Sequence, residues 1–166
     1  MFTTGILTIS DKGAHGQRQD ISGQRIRERL SAIGSTVGKY EIVPDESEVI
    51  AQTLEVWADE GDLDVIFTTG GTGLGERDVT PEATRLVIDK DVPGFGEAMR
   101  MKSLEKTPMA VLSRATAGLR GKCLIINLPG SPRAVDECLD VVLPAVPHAV
   151  EIIKGEVTEH SVEMPE

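Results

Sequence analysis

The stretch Thr68-Thr69-Gly70-Gly71-Thr72-Gly73-Leu74-Gly75-Glu76-Arg77-Asp78-Val79-Thr80 sets four glycines within six residues. Glycine adopts backbone conformations closed to other residues and lets a ligand approach the main chain. Successive N–H groups in such a turn can cradle an anion. Interleaved threonines, an Arg-Asp pair and a helix start accompany the glycines, so the stretch reads as a phosphate-holding loop rather than a spacer. It is not a P-loop, because Gly75 is followed by Glu76-Arg77 and not by Lys-Ser/Thr. It is not a dinucleotide fingerprint either, because Glu76 stands where the last glycine after Gly71 and Gly73 belongs.

Two acids frame this loop. Asp45 and Asp78 each sit at an expected strand-to-helix junction. A pair of carboxylates beside bound phosphates can hold Mg²⁺, directly or through water. Asp45 also fits a helix N-cap, with Glu48 completing a capping box. That reading suits Asp78 less well, because it lies two residues before the expected cap Thr80. Asp11 follows a strand directly and fits either a functional acid or a turn residue. Of Arg77, Arg114, Lys122 and Arg133, Arg77 is the cation expected beside the site. His15, His148 and His160 are scattered, and neither G-x-S-x-G nor H-E-x-x-H occurs, which removes the common serine-hydrolase and zincin readings. A missing nucleophile suits a reaction between two phosphate-bearing substrates, which needs positioning and charge neutralisation above all.

Alternating strands and helices must position these groups. Ile6-Leu7-Thr8-Ile9 reads as a strand ending at Ser10-Asp11. Residues 11–20 are polar and read as a mobile loop. Ser22 is placed to cap a helix to about Ile33, with Ile26 and Leu30 on one face and Gly34 ending it. Val37 to Val43 is a second strand. Residues 45–48 open a helix with the apolar stripe Ile50, Leu54 and Trp57, closed by Gly61. Residues 64–69 form a third strand whose continuous apolar run predicts cover on both faces. Thr80-Pro81-Glu82 predicts a Thr-capped helix with proline at its first position. Pro93-Gly94 is expected to break the chain before a helix from Phe95. Ala110-Val111-Leu112 fits a short strand or a helix end. Residues 115–119 and 122–128 predict two strands around Arg120-Gly121. Ser131-Pro132 then starts a helix carrying Val135, Leu139, Val142 and Leu143, with Pro144 and Pro147 breaking or kinking it. The expected fold class is α/β with a mostly parallel central sheet covered on both faces. Ligands in such folds bind beyond the C-terminal ends of the strands. Ser10-Asp11, Pro44-Asp45, the glycine loop and Pro129-Gly130-Ser131 all fall there.

The bulk properties narrow the partners. The chain has 166 residues and a formal net charge of −10, which repels nucleic acid and anionic membrane surfaces. Aromatic residues make up only 3%, leaving almost no platform for stacked bases. The two cysteines, Cys123 and Cys138, form no C-x-x-C pair, so a zinc site is not expected. They read as buried thiols of a reducing cytoplasm, a disulfide being the alternative. No signal peptide or membrane span is expected from the N-terminal stretch.

Taken with their order, these motifs resemble the MogA/MoaB family of molybdenum cofactor biosynthesis. Thr68-Thr69-Gly70-Gly71-Thr72-Gly73, Arg77-Asp78-Val79-Thr80-Pro81-Glu82-Ala83-Thr84 and Pro93-Gly94-Phe95-Gly96-Glu97 carry the resemblance. Ile9-Ser10-Asp11, Pro44-Asp45-Glu46, Leu112-Ser113-Arg114 and Asn127-Leu128-Pro129-Gly130-Ser131-Pro132 match in the same order. The resemblance implies a three-layer α/β/α sandwich, placed over residues 1–155, and assembly as a homotrimer; residues 156–166 read by composition as an acidic, non-periodic tail. It implies a cytoplasmic molybdopterin adenylyltransferase using Mg²⁺, with ATP and molybdopterin as substrates and hand-over of the product to a metal-insertion enzyme. Asp45 and Asp78 take the family's two essential carboxylate positions, with Mg²⁺ held there directly or through water. Gly70, Gly71, Thr72, Gly73 and Arg77 would bind the nucleotide and phosphates. Ser10, Asp11, Pro129, Gly130 and Ser131 would line the pocket. Gly75-Glu76 departs from the family's usual residues before Arg77. The alternative within the family is a non-catalytic molybdopterin carrier of the MoaB type.

Overall fold

The structure is a computed structural model that describes residues 1–156. Its strands are β1 (Thr3–Ile9), β2 (Thr36–Val43), β3 (Val65–Thr69), β4 (Lys90–Asp91), β5 (Ala117–Arg120) and β6 (Cys123–Leu128). Its helices are α1 (Asp11–Ala14), α2 (Ile21–Ala32), α3 (Ser47–Asp59), α4 (Thr80–Val87), α5 (Pro93–Leu104), α6 (Pro132–Val142) and α7 (Val146–Lys154), with a 3₁₀ turn at Pro108–Leu112. The sheet order is β2-β1-β3-β6-β5-β4. β1 runs parallel to β2 and β3, and β3 runs parallel to β6. β5 is antiparallel to both β6 and β4. The β5–β6 reversal follows from the tight turn at Gly121, whose φ of 55° suits glycine.

Strand side chains alternate between faces, so one apolar run feeds two cores. Ile6, Val65, Phe67, Leu124 and Ile126 pack under α2, α5, α6 and α7, with Ile26, Leu30, Met99, Val135, Leu139 and Val150. Leu7, Ile66 and Ile125 face the other way and pack under α3 and α4, with Ile50, Leu54, Trp57, Ala83 and Val87. The result is the three-layer sandwich, with a sheet parallel in its main body and antiparallel at one edge.

Several local expectations change. Residues 11–20, read as a polar mobile loop, begin with the helical turn α1, capped by the Ser10 hydroxyl accepting from Gly13 N at 3.0 Å. α2 is capped by Asp20, whose carboxylate accepts from Gly23 N at 2.8 Å, and not by Ser22. Ser22 lies one step inside the helix, and its hydroxyl donates across to Gly130 O at 2.7 Å. Thr80 is the first residue of α4 rather than its cap, because its hydroxyl donates to Gly70 O at 2.9 Å. Pro93-Gly94 opens α5 instead of breaking before it; a proline lacks only an N–H that the first turn leaves unused. Residues 110–112 belong to the 3₁₀ turn. The two-residue β4 at the sheet edge was not foreseen. Cys123 and Cys138 are free and buried, and desolvation pushes the Cys123 thiol up to about 12 and the Cys138 thiol to about 11. Apart from Glu156, the acidic tail lies outside the described residues.

Candidate active site

The sheet reverses its winding between β1 and β3: from β1 the chain steps to β2 on one side, then crosses to β3 on the other. Such a switch point opens a crevice at the strands' C-terminal ends. A cleft of about 620 Å³ lies there. Its floor is Thr8, Ile9, Ser10, Thr69, Gly70 and Gly71, and its far wall is Gly130, Ser131 and Pro132. The exits of all four parallel strands meet around it, because Asp45, just past β2, also lines it.

The glycine loop is fixed from several sides. Gly70 has a φ of 98° and Gly71 one of 68°, both in the left-handed region that favours glycine. Gly70 N donates to Leu128 O at 3.3 Å, and Thr80 N donates to Gly71 O at 3.1 Å. Gly70 also lies against Gly130, where an added Cβ would come within 3.4 Å of the Gly70 Cα. Beneath the loop, the buried Asn127 amide donates to the hydroxyls of Thr68 at 3.0 Å and Thr84 at 2.9 Å. Thr84 in turn donates to Thr80 O, and Thr80 to Gly70 O. A line of hydrogen bonds thus runs from β6 through α4 into the loop.

The acids form a reciprocal clasp. Asp11 N donates to Asp45 Oδ2 at 2.8 Å, and Asp45 N donates to Asp11 Oδ1 at 3.0 Å. Arg77 reaches over and grips Asp11 with two bonds, Nε to Oδ2 at 2.7 Å and Nη2 to Oδ1 at 2.8 Å. That planar fork is the geometry in which guanidinium and carboxylate bind most specifically. The Arg77 guanidinium first, and the Asp45 amide second, hold the Asp11 carboxyl below its usual range. Asp45 is not a helix cap: α3 is flanked by Glu46, which makes no side-chain cap. Asp78 Oδ2 accepts from Gly75 N at 2.9 Å and closes the turn Gly75 to Asp78.

Of the residues expected from sequence, Ser10, Asp45, Gly70, Gly71, Gly130 and Ser131 line the main cleft. Asp11 stands behind Asp45 in the clasp, and Pro129 acts through its carbonyl, which accepts from the Thr69 hydroxyl at 2.7 Å. Thr72 is buried, and Gly73 and Asp78 lie further along the loop. Arg77 borders a second, shallower depression with Glu46, Glu48 and Glu76, and Asp45 lines both hollows. The sequence reading ranked Arg114 below Arg77. Its Nε donates to Gly73 O at 2.7 Å and its Nη2 to Asp78 O at 2.7 Å, while Nη1 pairs with Glu82. Its own amide donates to Thr72 O. Arg114 therefore braces the loop that carries Asp78. Arg18, Gln19, Asp20 and Ser22 also line the cleft unforeseen. The Asp-Ile-Ser-Gly run at 20–23, a cap followed by small residues, was the available signal.

The donor set fits a magnesium ion shared with phosphates. Asp45 and Asp78 each keep Oδ1 without a hydrogen bond from the described residues, and neither atom is sealed from solvent. No group of three or more metal-binding side chains exists among the described residues. Mg²⁺ commonly uses one or two carboxylates and takes its remaining oxygens from phosphates and water.

Burial is the main influence that raises the Asp45 carboxyl above its ordinary range. The Asp11 amide opposes it, the charges of Asp11 and Asp78 add to it, and Arg77 opposes it again. A raised value means that the folded state binds the proton before the unfolded chain does. Stability then falls as pH climbs from the ordinary carboxylate range through the raised value. Asp45→Asn is accordingly expected to raise the melting temperature at neutral pH. The gain should shrink to nothing as acid protonates the parent. Melting curves over a pH series check this, and a variant less stable than the parent at neutral pH would refute it.

Comparisons with known proteins establish the family and the fold. The family model described as a probable molybdopterin binding domain matches residues 5–148. The molybdopterin adenylyltransferase of Helicobacter pylori is 49% identical over 153 residues, covering 91% of this chain and 87% of that protein. The crystal structure of the molybdopterin biosynthesis enzyme MoaB from Thermus thermophilus superposes with a TM-score of 0.88 at 54% identity, covering 93% of this chain and 98% of that one. The tungsten cofactor synthesizing protein MoaB from Pyrococcus furiosus superposes with a TM-score of 0.85 at 40% identity, covering 93% and 98%. With most of its length matched at such identities, the chain belongs to the family of probable molybdopterin binding domains.

Proposed function

We propose that this chain is a molybdopterin adenylyltransferase of molybdenum cofactor biosynthesis. The observation that carries the reading is the meeting of the glycine loop with Asp45 at a cleft at the strand ends, with Asp78 on that same loop. Relatives named for that activity, identical at up to 49% over most of the chain, support it. In the proposed reaction an oxygen of the terminal phosphate of molybdopterin attacks the α-phosphorus of ATP. A new P–O bond forms, the bond from the α-phosphorus to the bridging oxygen breaks, and pyrophosphate leaves with that electron pair. The attacking phosphate is already anionic near neutral pH, so no side chain need remove a proton from it. That matches a site without a nucleophile–base pair.

The residues bind and orient. The backbone of Gly70, Gly71, Thr72 and Gly73 receives phosphate oxygens, and Ser10, Gly130 and Ser131 shape the pocket. Asp11 holds Asp45 in place, and Arg77 holds Asp11. Asp45 and Asp78 would hold Mg²⁺, directly or through water, and the ion would offset the repulsion between two polyanions. The protein is proposed to act as a homotrimer in the cytoplasm and to pass its product to a metal-insertion enzyme. The exposed Leu104, Met109, Val111 and Leu112, close together in sequence, support self-association. No helix among the described residues is long and apolar enough to cross a membrane.

Incubating the purified protein with molybdopterin, ATP and Mg²⁺ should yield pyrophosphate and adenylylated pterin in equal amounts. Pterin binding without pyrophosphate release would overturn the enzymatic reading and favour a carrier.

A further inference from the structure

A further cleft of about 490 Å³ is lined by Arg85, Asp91, Arg100, Ser113, Arg114 and Thr116 among others. It shares no lining residue with the main cleft. Three arginines converge there in a chain whose net charge is −10. Two carboxylates oppose them: Asp91 in the lining, and Glu82, which pairs with Arg114 and, at 4.0 Å, with Arg85. The balance is one surplus positive charge.

Arg100 carries that surplus. Its guanidinium has no carboxylate within ion-pair distance among the described residues. It is instead held by two backbone carbonyls, Ala115 O at 2.8 Å and Ser113 O at 3.4 Å. Gly96, one turn earlier on α5, leaves it room: a Cβ there would lie 3.2 Å from Nη2. The guanidinium is thus fixed before any ligand arrives, which limits the ordering cost of binding. Beside it, Thr116 is only 9% exposed. Its hydroxyl carries no hydrogen bond from the described residues, yet it is not sealed off. A solvent-accessible hydroxyl at the cleft with no partner among the described residues is available to donate to a ligand held by the neighbouring guanidinium.

We infer that this cleft is a second anion site, taking a tetrahedral oxyanion of the phosphate class on Arg100, Arg114 and Thr116. Guanidinium forks match the oxygen spacing of such anions. Because Arg114 also holds Gly73 O and Asp78 O, the bound anion contacts the residue that braces the catalytic loop. The site does not depend on adenylyl transfer, so either reading can fail while the other stands.

The test is calorimetric titration of inorganic phosphate into the full chain, its main cleft first saturated with a non-hydrolysable ATP analogue. A saturable heat is expected under that block. Arg100→Gln should weaken it by about ten-fold or more, the usual worth of a charge-assisted hydrogen bond. Arg100→Lys, which keeps the charge but loses the fork, should fall between. Thr116→Val removes the hydroxyl at nearly constant shape, and it carries the test should Arg100→Gln fail to fold. Acetate at matched ionic strength should give no such heat. The inference is overturned if the heat vanishes once the main cleft is filled. It is equally overturned if acetate competes as well as phosphate, or if the folded variants bind like the parent.

Discussion

Asp78→Asn is expected to keep the fold and to lower adenylyl transfer by about 10²–10³-fold, the usual cost of weakening one source of transition-state charge stabilisation, here the magnesium that Asp78 would help to hold. The geometry separates the two effects. Asp78 Oδ2 accepts from Gly75 N, and an asparagine oxygen can do the same. Arg114 grips the main-chain carbonyl of Asp78, not its carboxylate, so the brace survives the substitution. What disappears is a negative charge beside the place where phosphates and their metal would gather. Pyrophosphate release measured beside a thermal melt distinguishes the outcomes: the melt should be unchanged and the rate lost. Near-parental turnover in a folded Asp78→Asn protein would remove Asp78 from the catalytic machinery.

Gly70→Ala should be severely damaging for so small a substitution. A Cβ at Gly70 would press well inside contact distance of the Ile9 carbonyl oxygen, and backbone can yield less readily than a flexible side chain. The residue also holds a φ of 98°, which L-residues rarely adopt. Overpacking and backbone strain together predict a loss of about 3 kcal/mol. The clash falls where β1 and β3 separate to open the cleft, so nucleotide binding should fail as well. Gly94→Ala is the control: nothing lies within 4 Å of its would-be Cβ, and its φ is ordinary. Denaturant midpoints of the two variants compare them directly. Equal midpoints for Gly70→Ala and Gly94→Ala would show that the strand exit has more freedom than its packing implies.

The layers were readable from the chain because each rests on a repeating signal. The uninterrupted apolar run of β3 marked a strand covered on both faces, and the i, i+4 stripe of α3 marked the helix that covers one of them. The helix starts were read less well, for one physical reason. Ser22, Asp45 and Thr80 all have side chains suited to capping, and each is used for a distant partner instead: Gly130 O, Asp11 N and Gly70 O. Propensity registers what a side chain can do locally, whereas the tertiary fold offered these three longer-range partners. Arg114, one of four candidate cations, was ranked below Arg77 for a related reason. It lies 36 residues from Asp78, and it braces the loop through main-chain carbonyls, a role that residue types do not reveal. That Asp45 would share a cleft with the glycine loop was legible, because both follow strand exits on one edge of the sheet, and so was the presence of Arg77 nearby. That Arg77 spends its fork on Asp11 was not.

The line of bonds from Asn127 through Thr84 and Thr80 to Gly70 bears on how the molecule opens. Glycine-rich surface loops ordinarily unfold locally, at little cost, well before the body of a protein does. Here the loop's carbonyls and amides are tied to a strand in the middle of the sheet and to the first turn of α4. Loosening the loop therefore takes the Gly70 acceptor away from the hydroxyl of Thr80, a group wholly buried in the native state, and the interior offers it no replacement. The loop's fraying becomes part of the global unfolding event. The binding loop thereby belongs to the same cooperative unit as the β1–β3–β6 body, and its native conformation persists between ligands instead of being rebuilt for each one.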